Sequence, residues 1–253
     1  MLSVSTQIAV GEDLNAFAEM LASVAFADEL IVFNMERTDQ AVEKLCKKYH
    51  AKIIEVKTPK VVEIIRSSQV REAKGDWVLV MDYDEIIPVP LQKEIMRIVT
   101  HTQLTNAFTI GRENFSLGYP LRHGGWDRDY VVRLLHRDDF LDWPTNIHST
   151  PRVRGGIGQT KHAMEHHKDH SLSEMVTKTN RYSVIEAEQF FTGNLPSVTP
   201  ITLVRKWWME SFRRGILKGG LLDGSIGLIQ SVYQGFSVFI SYAKLYEKQQ
   251  GEK

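Results

Sequence analysis

The chain has 253 residues, 43% of them hydrophobic and 25% charged, and its 31 basic residues balance its 31 acidic ones. Such a composition belongs to an ordinary folded protein, one large α/β domain or a domain with an appendage, and no excess of charge points to nucleic acid as a partner. The single cysteine, Cys46, excludes a disulfide framework, and no uninterrupted apolar run reaches the roughly 18 residues of a bilayer-spanning helix.

In chain order, Ser3 to Val10 predicts a first strand, after which Leu14, Phe17, Ala18, Leu21 and Ala25 recur at helical spacing. Leu30-Ile31-Val32-Phe33 predicts a second, buried strand ending at Asn34. Thr38-Asp39 has the chemistry of a helix start, followed by a helix through Val42, Leu45, Cys46 and Tyr49. Lys52 to Val56 predicts a third strand, and Val61 to Lys74 a helix stopped by Gly75. Trp77 to Met81 is a further strand, and a helix from Leu91 to Val99 follows Pro88 and Pro90. Strands alternating with helices imply right-handed crossovers and a largely parallel sheet.

The run Trp77-Val78-Leu79-Val80-Met81 stops at Asp82-Tyr83-Asp84-Glu85. A short run apolar on both faces reads as a buried central strand, and ligands of parallel sheets sit beyond the carboxyl ends of such strands. On extended backbone Asp82 and Asp84 point the same way while Tyr83 points away. Two hard oxygen donors at this spacing suit Mg²⁺ or Mn²⁺ whose remaining ligands come from a diphosphate and water. The competing reading is a surface turn after a strand, where Asp is common.

From Ala107 the period changes. Ala107 to Ile110 and Tyr130 to Leu135 predict strands separated by a loop, Glu113 to Asp129, that carries Gly118, Gly124 and Gly125. His148 to Gly158 is turn-rich, Lys161 to His170 is rich in histidine, and Leu172 to Phe191 predicts a helix. Pro196 and Pro200 mark a boundary between a domain of residues 1–195 and a C-terminal amphipathic helical region, 196–253. Between Arg205 and Lys218 five basic residues interleave with aromatics and one acid, Glu210. Two readings of 205–218 stand side by side: a peripheral contact with an anionic membrane surface, and a helical pair that packs on the catalytic domain. The N-terminal MLSVSTQIAV has neither a basic region nor a cleavage site, so a signal peptide is not expected.

Several short strings then fit together. Phe26-Ala27-Asp28-Glu29-Leu30-Ile31-Val32 precedes Thr38-Asp39, Asp82-Tyr83-Asp84-Glu85 follows, and His123-Gly124-Gly125-Trp126 leads to Asp129-Tyr130 and Arg133-Leu134. Ile147-His148, Arg181-Tyr182-Ser183, Lys218-Gly219 and Leu222-Asp223-Gly224 complete the order. With these strings the chain resembles the family-2 glycosyltransferases of GT-A fold, most closely the branch that assembles lipopolysaccharide core and other surface glycans. The resemblance implies a Rossmann-like, mostly parallel sheet flanked by helices with a C-terminal helical appendage. It implies metal-dependent, inverting transfer from a nucleotide-diphosphate sugar to a glycan or lipid-linked acceptor. The place of action it implies is the cytoplasm, peripherally at the inner face of the cytoplasmic membrane.

On that resemblance Asp82, Asp84 and His166 form the metal set with Mg²⁺ or Mn²⁺, Asp82 also contacting the donor ribose. Asn34, Arg133 and Trp126 join Asp82 in holding the donor, and Glu85 orients neighbours or the acceptor. Three positions depart from the family pattern. Glu12-Asp13 replaces an Asn-Glu pair, Asn34 replaces an aspartate that reads the base, and Ser149 replaces a glutamate after Ile147-His148. An inverting displacement needs a general base near the acceptor hydroxyl. Asp127 and Asp129 are the substitutes for it, with turn-capping as their competing reading. Two alternatives follow: a weak or inactive relative that binds nucleotide sugar or a partner, and a sugar-phosphate nucleotidyltransferase. The acidic Gly11-Glu12-Asp13 loop, with a single glycine, disfavours the second.

Overall fold

A computed structural model describes residues 1–101, 104–127, 129–146 and 149–251. The family string Ile147-His148 lies outside the described residues. The chain divides into two compact units, one of Met1–Arg112 with Asp129–His166 and the other of Glu113–Arg128 with His167–Lys253.

The first unit alternates strands and helices as the periodicity predicts: β1 (Leu2–Ala9), α1 (Leu14–Ser23), β2 (Glu29–Met35), α2 (Gln40–Lys48), β3 (Lys52–Val56) and α3 (Glu63–Arg71). Then come β4 (Trp77–Val80), β5 (Glu85–Ile86) and α4 (Val89–Thr100). The α3 helix is shorter than expected at both ends. The strands run in the order β3-β2-β1-β4, all three neighbouring pairs parallel.

Beyond β4 the pairing turns antiparallel. The later strands are β6 (Thr105–Ser116), β7 (Tyr119–Pro120), β8 (Tyr130–His136), β9 (Phe140–Asp142), β10 (Arg152–Val153) and β11 (Gly156–Asp169). The large sheet continues β4-β8-β6-β11-β5, with β4 and β8 antiparallel and β9 pairing β10 apart from it. So β4 is an interior strand. The histidine-rich Lys161 to His170 is strand over most of its length, and β6 runs on into what reads as loop. Polar alternation along both conceals the strand period from the sequence.

Alternation along the buried strands sorts the core into two layers. Leu30, Val32, Leu79 and Met81 face α1, α2 and α4, packing on Phe17, Met20, Cys46 and Ile95. Ile31, Phe33, Val78 and Val80 face α3, packing on Ile65 and Val70. The parity of Val78 and Val80 carries Asp82 to the α3 side, while Tyr83 joins the opposite layer.

The second unit contains α5 (Leu172–Thr192), α6 (Pro200–Phe212) and α7 (Gly224–Gly251), with a π-helical turn over Arg213–Leu217. The α5 helix was expected in the 1–195 domain. Its buried positions Met175, Thr179, Ser183 and Ala187 recur every four residues and form one stripe. That stripe meets α7: Thr179 Oγ1 lies 2.7 Å from Tyr233 Oη, and Ala187 shares a cluster with Leu245. At Gly235 a Cβ would lie 2.7 Å from the Trp207 carbonyl oxygen, so α6 and α7 cross with backbones nearly touching. Among the described residues no helix is long and apolar enough to cross a membrane.

Candidate active site

The carboxyl end of β4 positions the first carboxylate. Asp82 accepts from Gln7 Nε2 of β1 at 2.7 Å, from the Arg66 guanidinium of α3 and from the Arg133 guanidinium of β8. Gln7 is itself held by Gln69 of α3 at 2.8 Å, so strand and helix fix the same carboxylate from two sides. Burial works against ionising Asp82, but the Arg133 and Arg66 charges outweigh it and hold the carboxyl well below the usual carboxylate range.

Alternation from Leu134 and Leu135 carries Arg133 to the Asp82 side of the sheet, beside an irregularity in the pairing with β6. Phe108 pairs with Leu134 and Thr109 with Val132, so Arg133 is an extra residue on β8. Arg133 also donates to Glu85 at 2.9 Å. Its guanidinium is pushed above its ordinary range, the attraction of Asp82 and Glu85 exceeding the burial penalty. The buried Arg133 Nε–H finds no hydrogen-bond acceptor among the described residues.

Glu85 is completely buried. It accepts from the Asp82 backbone N–H at 2.8 Å and lies 3.5 Å from Arg112 Nη1. Arg112 in turn grips Asp129 with two hydrogen bonds of 2.9 Å. The result is a chain of alternating charge, Arg66–Asp82–Arg133–Glu85–Arg112–Asp129, in which each ion has an opposite neighbour. Arg66, Asp82, Arg112, Asp129, Arg133, Trp143 and Ser149 line one cavity of about 320 Å³. The Arg66 guanidinium lies 5.6 Å from the Trp143 ring centre, and the Trp143 indole N–H donates to the Ser149 carbonyl oxygen at 3.2 Å.

Asp84 departs from the expected geometry. The chain turns at Tyr83 and Asp84, with the Glu85 N–H donating to the Asp82 carbonyl oxygen at 3.2 Å, so strand alternation no longer sets the direction of the second carboxylate. Asp84 takes a different partner from Asp82. The antiparallel register of β11 on β5 sets His166 opposite Glu85 and brings His166 Nε2 to 3.8 Å from Asp84 Oδ1. Both side chains are largely buried. Cis ligands of an octahedral Mg²⁺ or Mn²⁺ lie about 3.0 Å apart, so this carboxylate oxygen and imidazole nitrogen would have to close in to bond one ion. Asp82 presents its oxygens to two guanidiniums and an amide, which is the position of an outer partner. Among the described residues no group of three or more His, Cys, Asp or Glu side chains is arranged as a complete metal shell.

The other sequence-predicted residues fall as follows. Asn34 is buried at the end of β2, its amide donating to the Arg37 carbonyl oxygen at 2.8 Å and to Glu55 at 2.9 Å, and its oxygen accepting from Arg37 N at 3.2 Å. One carbonyl lone pair is left for a ligand. Glu12 accepts from Ala9 N at 2.7 Å, and Asp13 caps α1 through Asn15 N.

Trp126 and Asp127 belong to the second unit, and Asp127 is exposed there. Within that unit Trp126 has Lys168 Nζ 4.2 Å and the Arg214 guanidinium 4.6 Å from its ring centre. Its ring is thus engaged by two cations rather than left open for stacking. The neighbouring loop is stitched down by Asp223, which accepts from the Arg122 and His123 N–H groups and pairs with His123 Nδ1 at 2.6 Å. Gly125, at φ +85°, holds a backbone conformation that favours glycine, with the Lys218 side chain lying over it.

Arg66, Gln7, Gln69 and Arg112 were not among the residues singled out in the sequence. Arg66 and Gln69 lie at helical spacing on an otherwise apolar buried face of α3, and that mismatch was the available signal.

No family model matches the chain. It is 26% identical over 242 residues to a Rickettsia bellii protein described as an uncharacterized glycosyltransferase, covering 87% of this chain and 78% of that one. A Rickettsia felis protein of the same description is 24% identical over 279 residues, covering 98% and 90%. Among solved structures, the mannosyltransferase PcManGT from Pyrobaculum calidifontis, in complex with GDP-Man and Mn²⁺, superposes with a TM-score of 0.53 at 12% identity, covering 100% of this chain and 87% of that one. The chain thus has the GT-A fold, and over most of its length its sequence is similar to proteins described as glycosyltransferases.

Proposed function

We propose that this protein is an inverting glycosyltransferase. It moves a sugar from a nucleotide-diphosphate donor to a hydroxyl of a glycan or lipid-linked acceptor, in the assembly of cell-envelope polysaccharide or lipopolysaccharide on the cytoplasmic side. One observation supports this most: Asp82, kept ionised between Arg66 and Arg133, and Asp84, beside His166, both lie just past an interior strand of a GT-A sheet. The descriptions of the rickettsial relatives and the GDP-Man and Mn²⁺ of the solved neighbour agree with it.

A divalent cation held by Asp84 and His166 would offset the charge that grows on the departing nucleoside diphosphate. The remaining roles fall to the chain's own groups. Asp82 accepts a hydrogen bond from the donor ribose, its orientation fixed by Arg66 and Gln7. Arg133, with its free Nε–H, is the cation facing the phosphates. Glu85 keeps Arg133 and Arg112 in place and, being completely buried, acts only through them. Asp129 is the carboxylate for deprotonating the acceptor within the first unit, and Asp127 is the second candidate.

The specific observation favouring a weak or inactive binder is that Asp129 already gives both oxygens to Arg112. Incubation with a panel of nucleotide sugars, with and without Mn²⁺, separates the two. A transferase leaks some donor to water and releases nucleoside diphosphate above the blank with one donor and the metal. Release at the blank rate with every donor, even with acceptor extract added, selects the binding module.

A further inference from the structure

The α6 helix has no buried residue along its 13 positions. Its apolar side chains are nonetheless spaced as one stripe: Ile201, Val204, Trp208 and Phe212 recur at steps of three and four. Such a stripe normally faces a core. Here it faces outward, with Ile201 78% and Trp208 59% exposed. The surface continues past the π-turn to Leu217, 70% exposed, and Leu222, 75% exposed. The packed side of α6 adjoins this stripe, where the Trp207 carbonyl and Ser211 meet Gly235 of α7.

Basic residues border this apolar face. Arg205 and Lys218 are exposed there, while Lys206 lies 4.6 Å from the Tyr242 ring of α7 and Arg213 and Arg214 pair with Glu210 at 2.6 and 2.9 Å. The face therefore joins protruding aliphatic and indole groups to a surplus of cations. A second copy is a poor occupant. A two-fold contact sets the same patch against itself, which opposes Arg205 and Lys218 to a patch of like charge. A layer of anionic headgroups over hydrocarbon satisfies both halves of the surface at once.

We propose that this face of the helical unit docks on an anionic lipid bilayer surface. Ile201, Val204, Trp208, Phe212, Leu217 and Leu222 enter the interface, and Arg205 and Lys218 lie at the headgroups. The inference rests on the surface of this unit alone, so it stands or falls separately from the transferase reading.

The test is flotation of the full chain with vesicles of phosphatidylcholine, alone and with about a third phosphatidylglycerol. The intact protein is expected to float only with the anionic vesicles, with a blue shift of tryptophan emission, and to be released at 1 M salt, where the screening length is about 3 Å. Losing a cation in Arg205→Gln or Lys218→Gln should weaken partitioning about fivefold each. Trp208→Ser with Phe212→Ser should abolish it, with circular dichroism showing helix content retained. Failure of the intact chain to bind anionic vesicles overturns the proposal, and that result needs no variant. Equally, a stable dimer in solution that Trp208→Ser dissociates overturns it in favour of a second copy.

Discussion

Arg133 and Asp82 form an ion pair across two antiparallel strands because alternation along β8 from Leu135 and along β4 from Val80 carries both to the α3 side of the sheet. The pair fixes the first carboxylate of the Asp82-x-Asp84 string before any ligand arrives, which is the preorganisation that charge stabilisation needs.

Asp82→Asn therefore removes the shared partner of two buried guanidiniums. It should destabilise the fold by about 3 kcal/mol or more. The pH dependence follows from the depressed carboxyl. Its contribution is fully present above the unfolded value of about 4 and is lost as pH falls from there toward the folded value. Urea unfolding at neutral pH and at successively lower pH checks both points. The wild type should lose stability on acidification, and the variant should start lower and fall less steeply.

Asn34→Asp restores the residue that the family pattern expects, and should harm this protein. Asn34 Nδ2 donates to both Glu55 oxygens, at 3.0 and 2.9 Å. An aspartate there would set two carboxylates against one another, at a cost of about 1–3 kcal/mol. Protonation of one of them at low pH relieves the clash, so the loss in thermal midpoint should shrink on acidification. Glu55→Gln in the same chain should recover most of the stability at neutral pH.

Most of the first unit was legible because β2 and β4 carry apolar runs and the helices keep a clean period. The parallel pairing of β1 to β4 follows from strand–helix alternation, whereas the antiparallel β8 on the other side of β4 does not. The site was legible only in part. Asp82, Asp84, Arg133 and His166 were all singled out, yet the turn at Tyr83-Asp84 decides which of them meet, and it leaves no mark in hydrophobic patterning. Arg66 was missed because its one local mark, a place beside Gln69 among the apolar residues of α3, does not say which strand the guanidinium meets, here one 16 residues downstream. The α5 helix was read correctly as a helix, but its stripe of Met175, Thr179, Ser183 and Ala187 is too polar to announce that it packs against α7.

Asp129 and Asp127 make opposite predictions for the proposed general base. Asp129→Asn should lower kcat by about 10²–10⁴ while leaving KM for the donor nearly unchanged. Asp127→Asn, at an exposed position, should leave kcat within a few-fold. Steady-state kinetics on both variants decides the assignment, and the reverse pattern moves the role to Asp127.

Cys46 lies in the layer beneath α2, and burial, reinforced by the Glu55 charge, pushes its thiol up to about 11. At pH 8 only about one thiol in a thousand is then ionised. The native protein should resist a thiol-reactive disulfide dye and react with one equivalent only after unfolding in urea. Stoichiometric labelling of the native chain would place Cys46 outside the core.

The central claim, a metal-assisted grip on the donor diphosphate at the end of β4, is tested most directly by calorimetric titration with a nucleoside diphosphate in the presence and absence of Mn²⁺. Binding should be strong only with the metal and should be lost in Asp84→Ala, whose thermal unfolding stays close to that of the wild type. Equal affinity in the two proteins, or affinity indifferent to the metal, would contradict it.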